Sequence, residues 1–390
     1  MKVAGIIAEY NPFHSGHAYL AEKAGAAGHT HIVAVMSGNF VQRGEPALMH
    51  HSVRTRAALE CGIDLVVQLP SVYAVSSAQS FATAGVEILN GLGLVDSLVF
   101  GSECGDTDKI VKTAKAVYGD EIKSYLASEL EKGISFASAR ENALRKINSA
   151  YADIIQSPNN ILGVEYAAAI ERIGSDIVPV TFARTGAAHD SDAEVNGIAS
   201  ASAIRKKIQK GERISDFVPE KAADIYKNAS LTDTQRIENA ILYKMKTTSP
   251  QELAKAPDIS EGIENRIVQA ARQASSLEEL YTLAKTKRYS HARIRRIITN
   301  HFLTVTAEDL RISVPYMRVL GFNSKGAELL KAAKSAATIP VITKTADVAN
   351  LGSEAQRIFS LECTAGDIFA LCTENPADCI PEKDCRPVII

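Results

Sequence analysis

Two histidines near the N-terminus have the residue type and spacing to act on phosphate groups. His14 and His17 flank Ser15-Gly16, so their imidazoles can face one side of a helix entrance. Imidazole N–H groups can donate to phosphoryl oxygens as negative charge builds on them, which is electrostatic rather than acid–base catalysis. Gly16 has no side chain and would let a nucleotide approach the backbone closely. The alternative is two polar surface residues, because short motifs often match by chance.

The position of this motif favours a nucleotide site. Residues 3–8 form a short apolar run, which predicts a strand buried on both faces. Asn11-Pro12 ends that strand, and helical spacing starts at His17. The histidines therefore lie where a strand ends and a helix begins, which is where open α/β sheets bind ligands and where helix dipoles attract phosphate.

Further strands and helices alternate after the motif. Buried strands are predicted at 31–36, 64–70, 97–103 and 176–182, with helices at 52–62 and 77–91 and a helical, charged stretch at 109–148. This alternation predicts an α/β fold with a Rossmann-like, doubly wound parallel sheet. The loop after the second strand carries Gln42 and Arg43, which could contact substrate or form a solvated turn.

Other candidate ligands of a nucleotide follow later strands. Gly101 at a strand end would let adenosine lie against the backbone, although a plain turn glycine is an equal alternative. Asn159 can cap a helix or bind ligand hydroxyls. Arg184 follows the fifth strand at the same sheet edge, where it is well placed for phosphate.

A serine-rich segment opens another helix. Ser200 or Ser202 can cap it, and Arg205 in its first turn can clamp a β- or γ-phosphate. The alternative is a capped basic surface helix.

Composition and length limit the possible classes of protein. The chain has 390 residues and a net charge of −2, with 23% charged and 46% hydrophobic residues, which is ordinary for a soluble protein of two domains. We expect no transmembrane segment, since no apolar run approaches the length of a bilayer span. Six scattered cysteines indicate a reduced, cytoplasmic protein, and the spacing of the last three matches no common zinc motif, so no metal site is expected.

The second half changes character near residue 215. We predict a catalytic domain at 1–215 and a mainly helical domain at 216–390, with helical periodicity at 232–246, 259–286, 290–303 and 324–335 and one short strand within 337–345. Its densest basic cluster is a candidate RNA-binding patch, with a solvated helix face as the alternative. The patch comprises Lys285, Lys287, Arg288, Arg293, Arg295 and Arg296.

Several strings together resemble the tRNA(Met) cytidine acetate ligase family of the HIGH-type nucleotidyltransferase superfamily. They are GIIAEYNPFHSGH at 5–17, SGNFVQRGEPAL at 37–48, FGSE at 100–103, SPNNILGVEY at 157–166, SASAIRK at 200–206 and RYSHARIRR at 288–296. HxGH followed by SxSxIR in this order is the superfamily's pair of signatures, and the resemblance extends over essentially the whole chain.

The resemblance implies a two-step reaction. Acetate would attack the α-phosphate of ATP to give acetyl-adenylate and pyrophosphate, and the acetyl group would then pass to N4 of the wobble cytidine, C34, of elongator tRNA(Met). Mg²⁺ is expected with ATP, held through phosphates.

The site residues that the resemblance implies fall into two groups. His14, His17 and Arg205 would be catalytic. ATP would be bound by Ile7, Ala8, Glu9, Tyr10, Asn11, Pro12, Phe13, His14, Ser15, Gly16, His17, Ala18, Tyr19, Leu20, Gly101, Asn159, Arg184, Ser200 and Ser202.

The sequence departs from the family pattern at two places and leaves two other functions open. His50-His51 stand where the family commonly has Asp-Lys, and Ala201 replaces a serine. Histidine is largely uncharged at neutral pH and would neutralise phosphate less fully than lysine. The rivals are a small-molecule adenylate-forming ligase of pantothenate-synthetase type, and a non-catalytic RNA-binding module with a vestigial nucleotide site.

Overall fold

A computed structural model describes residues 1–184 and 200–390. Its strands are β1 Val3–Ala8, β2 His31–Ser37, β3 Phe40–Val41, β4 Glu45–Pro46, β5 Leu65–Leu69, β6 Ser97–Ser102, β7 Val178–Ala183, β8 Met317–Phe322, β9 Val341–Ile342 and β10 Val388–Ile389. The five strands predicted in the first half of the chain and the short strand within 337–345 are confirmed.

The helices follow the same chain order. They are α1 Ser15–Ala26, α2 His51–Glu60, α3 Ser71–Ala74, α4 Ala78–Leu92, α5 Thr107–Tyr118, α6 Glu121–Leu130, α7 Phe136–Ile147, α8 Ser149–Ile154, α9 Pro158–Ile173, α10 Ala201–Gln209, α11 Glu220–Tyr226, α12 Glu238–Thr247, α13 Pro250–Leu253, α14 Ile263–Gln273, α15 Leu277–Ala284, α16 His291–Phe302, α17 Ser324–Ala336 and α18 Ser353–Leu371. The predicted helix at 259–286 is two helices, because Ser276 caps a second start by accepting from the Glu279 N–H.

The main sheet has the strand order β10-β8-β5-β2-β1-β6-β7, with β9 beside β8. Strands β1, β2, β5, β6 and β7 pair in parallel, which confirms the doubly wound α/β architecture. Strand β1 lies between β2 and β6. The order reverses at this strand, so the loop that follows it opens into the crevice where ligands bind.

The sheet is mixed rather than wholly parallel, which differs from our prediction. Strand β8 pairs antiparallel with β5, Leu65 facing Phe322 and Val67 facing Val319. The sequence of β8 is interrupted by Arg318, which hides its apolar pattern.

The sheet is covered on both faces. In β1, Val3 and Ile7 belong to one buried cluster, whereas Ala4 and Ile6 belong to another, as the alternation of side chains along a strand requires. The first cluster includes Tyr316, Met317, Ile358 and Phe369 from the C-terminal part of the chain.

The predicted boundary at 215/216 therefore does not separate the sheet from a helical domain. Strands β8, β9 and β10 return to the main sheet, while residues between Ile237 and Ile298 form a helical cluster with its own buried core. The division fails because β5 needs a neighbour on its outer edge, which only the later residues supply.

No helix in the described part of the chain is both long and apolar enough to cross a membrane.

Candidate active site

The loop between β1 and α1 is held in place by distant segments. Tyr226 Oη accepts a hydrogen bond from the Phe13 N–H (3.0 Å), and Asn11 Oδ1 accepts from the Leu48 N–H (2.7 Å). Arg205 Nη1 donates to the Asn11 carbonyl at 2.9 Å. These bonds fix the backbone immediately before the two histidines.

The two histidines form a reciprocal cap at the start of α1. The Gly16 N–H donates to His14 Nδ1 (3.0 Å), and the His14 N–H donates to His17 Nδ1 (3.2 Å). The rings stack with centroids 3.9 Å apart. Because a backbone N–H donates to Nδ1 of each ring, each neutral ring carries its proton on Nε2.

The charge state of His17 suits a hydrogen-bond donor. Burial lowers the pKa of His17 well below its ordinary value, and the neighbouring charges of His14 and Arg184 lower it further. The ring is therefore neutral near pH 7. It can stabilise an anion through Nε2–H but has no extra proton to give.

Gly16 is required by the packing of His14. A Cβ at Gly16 would lie 2.9 Å from His14 Cε1 and 3.1 Å from Nδ1. The absence of that side chain lets the His14 ring fold over the helix entrance, a reason that adds to the predicted close approach of a nucleotide.

Two aromatic residues of the predicted ATP-binding stretch pack against the ring of His17. Tyr10 is 1% exposed and Phe13 is fully buried, and their ring centroids lie 4.9 and 5.5 Å from that of His17. These side chains thus position the imidazole.

Arg184, Asn159 and Gly101 come together where β6 and β7 end. Arg184 Nη1 donates to Asn159 Oδ1 at 3.3 Å, and a Cβ at Gly101 would lie 3.0 Å from Arg184 Cγ. Gly101 therefore makes room for the stem of Arg184 where β6 ends.

Glu103 is a residue of this site that was not predicted from the sequence. Its carboxylate accepts from Asn159 Nδ2 (2.7 Å) and from the Asn160 N–H (2.8 Å) at the start of α9. An anion is stabilised at this end of the helix dipole, so Glu103 holds Asn159 in position. An acidic residue directly after the FGS strand end was the available signal.

The second predicted motif reaches the first. Ser200, not Ser202, caps α10 by accepting from the Ala203 N–H at 3.1 Å. Ser202 Oγ accepts from Arg205 Nη2 at 3.2 Å. Arg205 lies 194 residues after Asn11, and the bond between them joins the second signature to the loop just before the first.

Arg54 of α2 is another residue near the crevice that was not predicted from the sequence. It is fully buried, and its guanidinium donates to the carbonyls of Met49, Glu9, Ser37 and Gly38. It thereby ties together the ends of β1 and β2. Nearby, Glu9 Oε1 accepts from the Gln42 N–H at 2.9 Å, which anchors the loop that carries Gln42 and Arg43.

The predicted RNA-binding patch divides into two groups. Arg293 donates to the Asp258 carbonyl, Arg296 to the Asp258 carboxylate at 2.8 Å, and Arg295 to Glu45 at 2.6 Å. Arg288 donates to the Gly133 carbonyl at 2.9 Å. Arg293 and Arg296 thus hold the helical region together, whereas Arg295 and Arg288 attach it to the first half of the chain.

Lys285 and Lys287 form the second group of the patch. Both are exposed, and neither makes an ion pair within residues 1–184 and 200–390. That these two lysines contact RNA stays a prediction.

The departing pair His50-His51 is part of a buried polar network. His50 caps α2 by accepting from the Ser52 N–H, and His51 Nε2 lies 3.0 Å from Glu382 Oε1. His51 is thus paired with a carboxylate of the protein, whereas the lysine of the family pattern was expected to neutralise phosphate.

This arrangement matches known proteins over almost its whole length. The family model described as HIGH Nucleotidyl Transferase matches residues 1–383. A tRNA(Met) cytidine acetate ligase of Clostridium perfringens is 42% identical, covering 88% of this chain and 90% of that protein. One from Acetivibrio thermocellus is 39% identical, covering 97% and 96%.

The chain belongs to the tRNA(Met) cytidine acetate ligases of the HIGH nucleotidyltransferase family.

Solved structures agree with this assignment. The apo crystal structure of Thermotoga maritima TmcAL superimposes with a TM-score of 0.94 at 30% identity, covering 100% of both chains. A second structure of the same protein, bound with alpha-thio ATP, gives a TM-score of 0.93 at the same identity and coverage.

Proposed function

We propose that this chain activates acetate with ATP and transfers the acetyl group to N4 of C34 in elongator tRNA(Met), forming N4-acetylcytidine. The observation that carries the proposal is the pair of stacked histidines at the mouth of the β1–α1 crevice, each of which accepts a backbone N–H at Nδ1. The names of relatives that match from end to end support the same reaction.

In the first step an acetate oxygen attacks the α-phosphorus of ATP. A new P–O bond forms to acetate, the bond from the α-phosphorus to the bridging oxygen breaks, and pyrophosphate leaves with the electron pair. The Nε2–H groups of His14 and His17 and the N-terminus of α1 stabilise the charge that develops on the α-phosphoryl oxygens. No side-chain nucleophile is needed, because acetate attacks directly.

The remaining predicted residues would hold the rest of the nucleotide. Arg184 and Arg205 would neutralise the β- and γ-phosphates. The adenosine would lie along residues 7–20 and near Gly101, Asn159, Ser200 and Ser202. The contacts of Arg205 with Asn11 and of Arg184 with Asn159 support this grouping, since they bring both cations to the edge of the crevice.

Mg²⁺ would enter with the triphosphate and be held by its oxygens. Across residues 1–184 and 200–390, three potential metal ligands come together only at His50, His51 and Cys385, none of which is among the predicted ATP-binding residues. That placement fits a metal bound through ATP, because Mg²⁺ at nucleotide sites keeps phosphate and water ligands.

In the second step N4 of C34 attacks the carbonyl carbon of acetyl-adenylate. A C–N bond forms, AMP leaves, and N4 loses a proton. Lys285 and Lys287 would contact the tRNA backbone, and we expect the reaction to take place in the cytoplasm. The alternative is an adenylate-forming ligase without an RNA substrate. It is disfavoured because a tRNA(Met) cytidine acetate ligase aligns with 97% of this chain, which includes the helical region.

Acetate-dependent ATP–pyrophosphate exchange tests the first step. His17→Ala should fold and bind tRNA but lose exchange by roughly 100-fold or more, since one donor to the developing charge is gone. The matched control is His31→Ala, because His31 starts β2 at the opposite sheet edge and pairs with Glu328. Exchange by His17→Ala near the parent rate would refute the role of His17, and transfer of acetate to tRNA checks the second step.

A further inference from the structure

Three side chains with metal-binding atoms come together, and none of them is among the predicted ATP-binding residues. One ligand atom from each of His50, His51 and Cys385 lies within 4.8 Å of the others. His51 is buried, and His50 and Cys385 are half-buried. The histidines open α2, whereas Cys385 lies in the tail just before β10, so the fold brings together residues from opposite ends of the chain.

His51 has one ring nitrogen that is already held and one that is vacant. Nε2 lies 3.0 Å from Glu382 Oε1. Nδ1 is buried and has no hydrogen-bond partner among the described residues. A buried nitrogen without a partner is costly in free energy. A histidine that donates one N–H to a carboxylate and keeps the other nitrogen vacant is oriented as metal-ligating histidines are.

The surrounding groups fix these side chains. Glu382 also accepts from Asn39 Nδ2 at 2.7 Å and from the Arg318 guanidinium, so the charge of Arg318 is matched by a carboxylate. In the α2 cap His50 Nδ1 accepts from the Ser52 N–H. Metal binding through Nε2 would move the ring proton to Nδ1, which would then donate to Ser52 Oγ, 2.8 Å away. The Cys385 thiol donates a weak bond to the Ile380 carbonyl at 3.5 Å, and the Arg318 guanidinium hydrogen-bonds to its sulfur.

We propose that His50, His51 and Cys385 form a Zn²⁺ site. Two imidazoles and a thiolate are donors that Zn²⁺ prefers over the oxygen ligands of Mg²⁺ and Ca²⁺. The bound ion would join the C-terminal tail to the start of α2. The proposal does not rest on the proposed reaction, because Zn²⁺ binding is measured without ATP, acetate or tRNA.

The test uses the full-length chain without a histidine tag. Metal content after Zn²⁺ loading and dialysis should approach about one ion per chain. Titration with Co²⁺ should give a thiolate-to-cobalt charge-transfer band, which reports a cysteine ligand directly. Zn²⁺ should also raise Tm, and a chelator should reverse that rise.

Cys385→Ser should abolish the charge-transfer band and weaken Zn²⁺ binding by roughly 10- to 100-fold or more. Cys379→Ser is the matched control, since Cys379 is a half-buried cysteine of the same tail and should leave both signals unchanged. Absence of the charge-transfer band in the parent protein would overturn the proposal, even if the Cys385 variant failed to fold. So would equal Zn²⁺ affinity of the parent and a folded Cys385→Ser variant.

Discussion

At the scale of single residues, the site depends on which atom of each histidine ring is already occupied. Backbone N–H groups of the motif donate to Nδ1 of both His14 and His17. The motif's own backbone therefore favours the tautomer with the proton on Nε2. Buried aromatic rings then keep His17 in place. The glycine between the histidines allows this geometry, which gives a direct test.

Gly16→Ala should lower acetate-dependent exchange on the order of 100-fold while the protein still folds. The added Cβ would lie 2.9 Å from His14 Cε1, so the His14 ring must move and one donor to the α-phosphate is misplaced. Exchange kinetics and a thermal melt check both halves of this expectation.

Gly25→Ala in the same helix is the control. A Cβ at Gly25 meets nothing within 4 Å, so exchange should not change and the protein should gain about 0.5–1 kcal/mol of stability. If both alanine variants retain full exchange, the packing argument for Gly16 is wrong.

At the scale of elements, α16 is a structural helix with a basic sequence. Arg295 and Thr299 attach it to the loop between β3 and β4, through Glu45 and the Gly44 carbonyl. Arg296 pairs with Asp258 and is 16% exposed. Lys285 and Lys287, just before the helix, have no such ion-pair partner among the residues that the structure describes, so stability and RNA binding should separate by mutation.

Lys285→Ala combined with Lys287→Ala should weaken tRNA binding and reduce the dependence of log K on log salt by about one per lysine, with Tm unchanged. Arg296→Ala should instead lower Tm and leave the salt slope unchanged, because it removes a partly buried ion pair. Filter binding across a salt series and thermal melts measure the two effects. A reversed pattern would show that Arg296 faces the RNA.

At the scale of the whole molecule, the C-terminal half completes the sheet. Strand β8 covers the outer edge of β5, and residues such as Tyr316, Ile358 and Phe369 pack into the core beneath it. The two halves of the chain are therefore parts of one structure in this region.

A fragment of residues 1–215 should not fold independently. Without β8 the edge of β5 is unpaired, and an exposed apolar edge strand promotes aggregation. We expect an insoluble or aggregated fragment without a cooperative melt, whereas the full chain melts cooperatively. A monomeric fragment with a sharp thermal transition would contradict this expectation and restore the boundary predicted from the sequence.

The buried Glu362 should make stability depend on pH. It accepts from Gln68 Nε2 at 2.8 Å and from the Ser71 N–H at 2.6 Å, yet burial and then the charge of Glu382 raise its pKa to about 7. The folded protein thus keeps a proton that the unfolded chain releases near pH 4.5. The contribution of this group to stability is full below that pH and is lost as pH rises to about 7.

Glu362→Gln should remove this decline, which we expect to be on the order of 1–3 kcal/mol. Urea unfolding at several pH values, compared between the parent and the variant, measures the difference in slope. Glu354→Gln is the control because Glu354 is exposed on the same helix. Parallel pH profiles for the parent and Glu362→Gln would show that Glu362 titrates normally in the folded protein.

The sequence by itself determined what depends on neighbouring residues. Apolar runs located five strands of the sheet, Asn11-Pro12 marked the end of β1, and Ser200 supplied a helix cap. Residue type and spacing were enough to select His14, Gly16, His17 and Arg205 as candidate site residues.

The tertiary structure decided what depends on which surfaces meet. Arg318 interrupts the apolar pattern of β8, and its partner Glu382 is 64 residues away, so no local pattern could predict that strand or its antiparallel pairing with β5. The same reason explains why the arginines of α16 form internal contacts and why His50 and His51 meet Cys385. A charged side chain in a sequence shows its chemistry, but only the fold determines which group neutralises it.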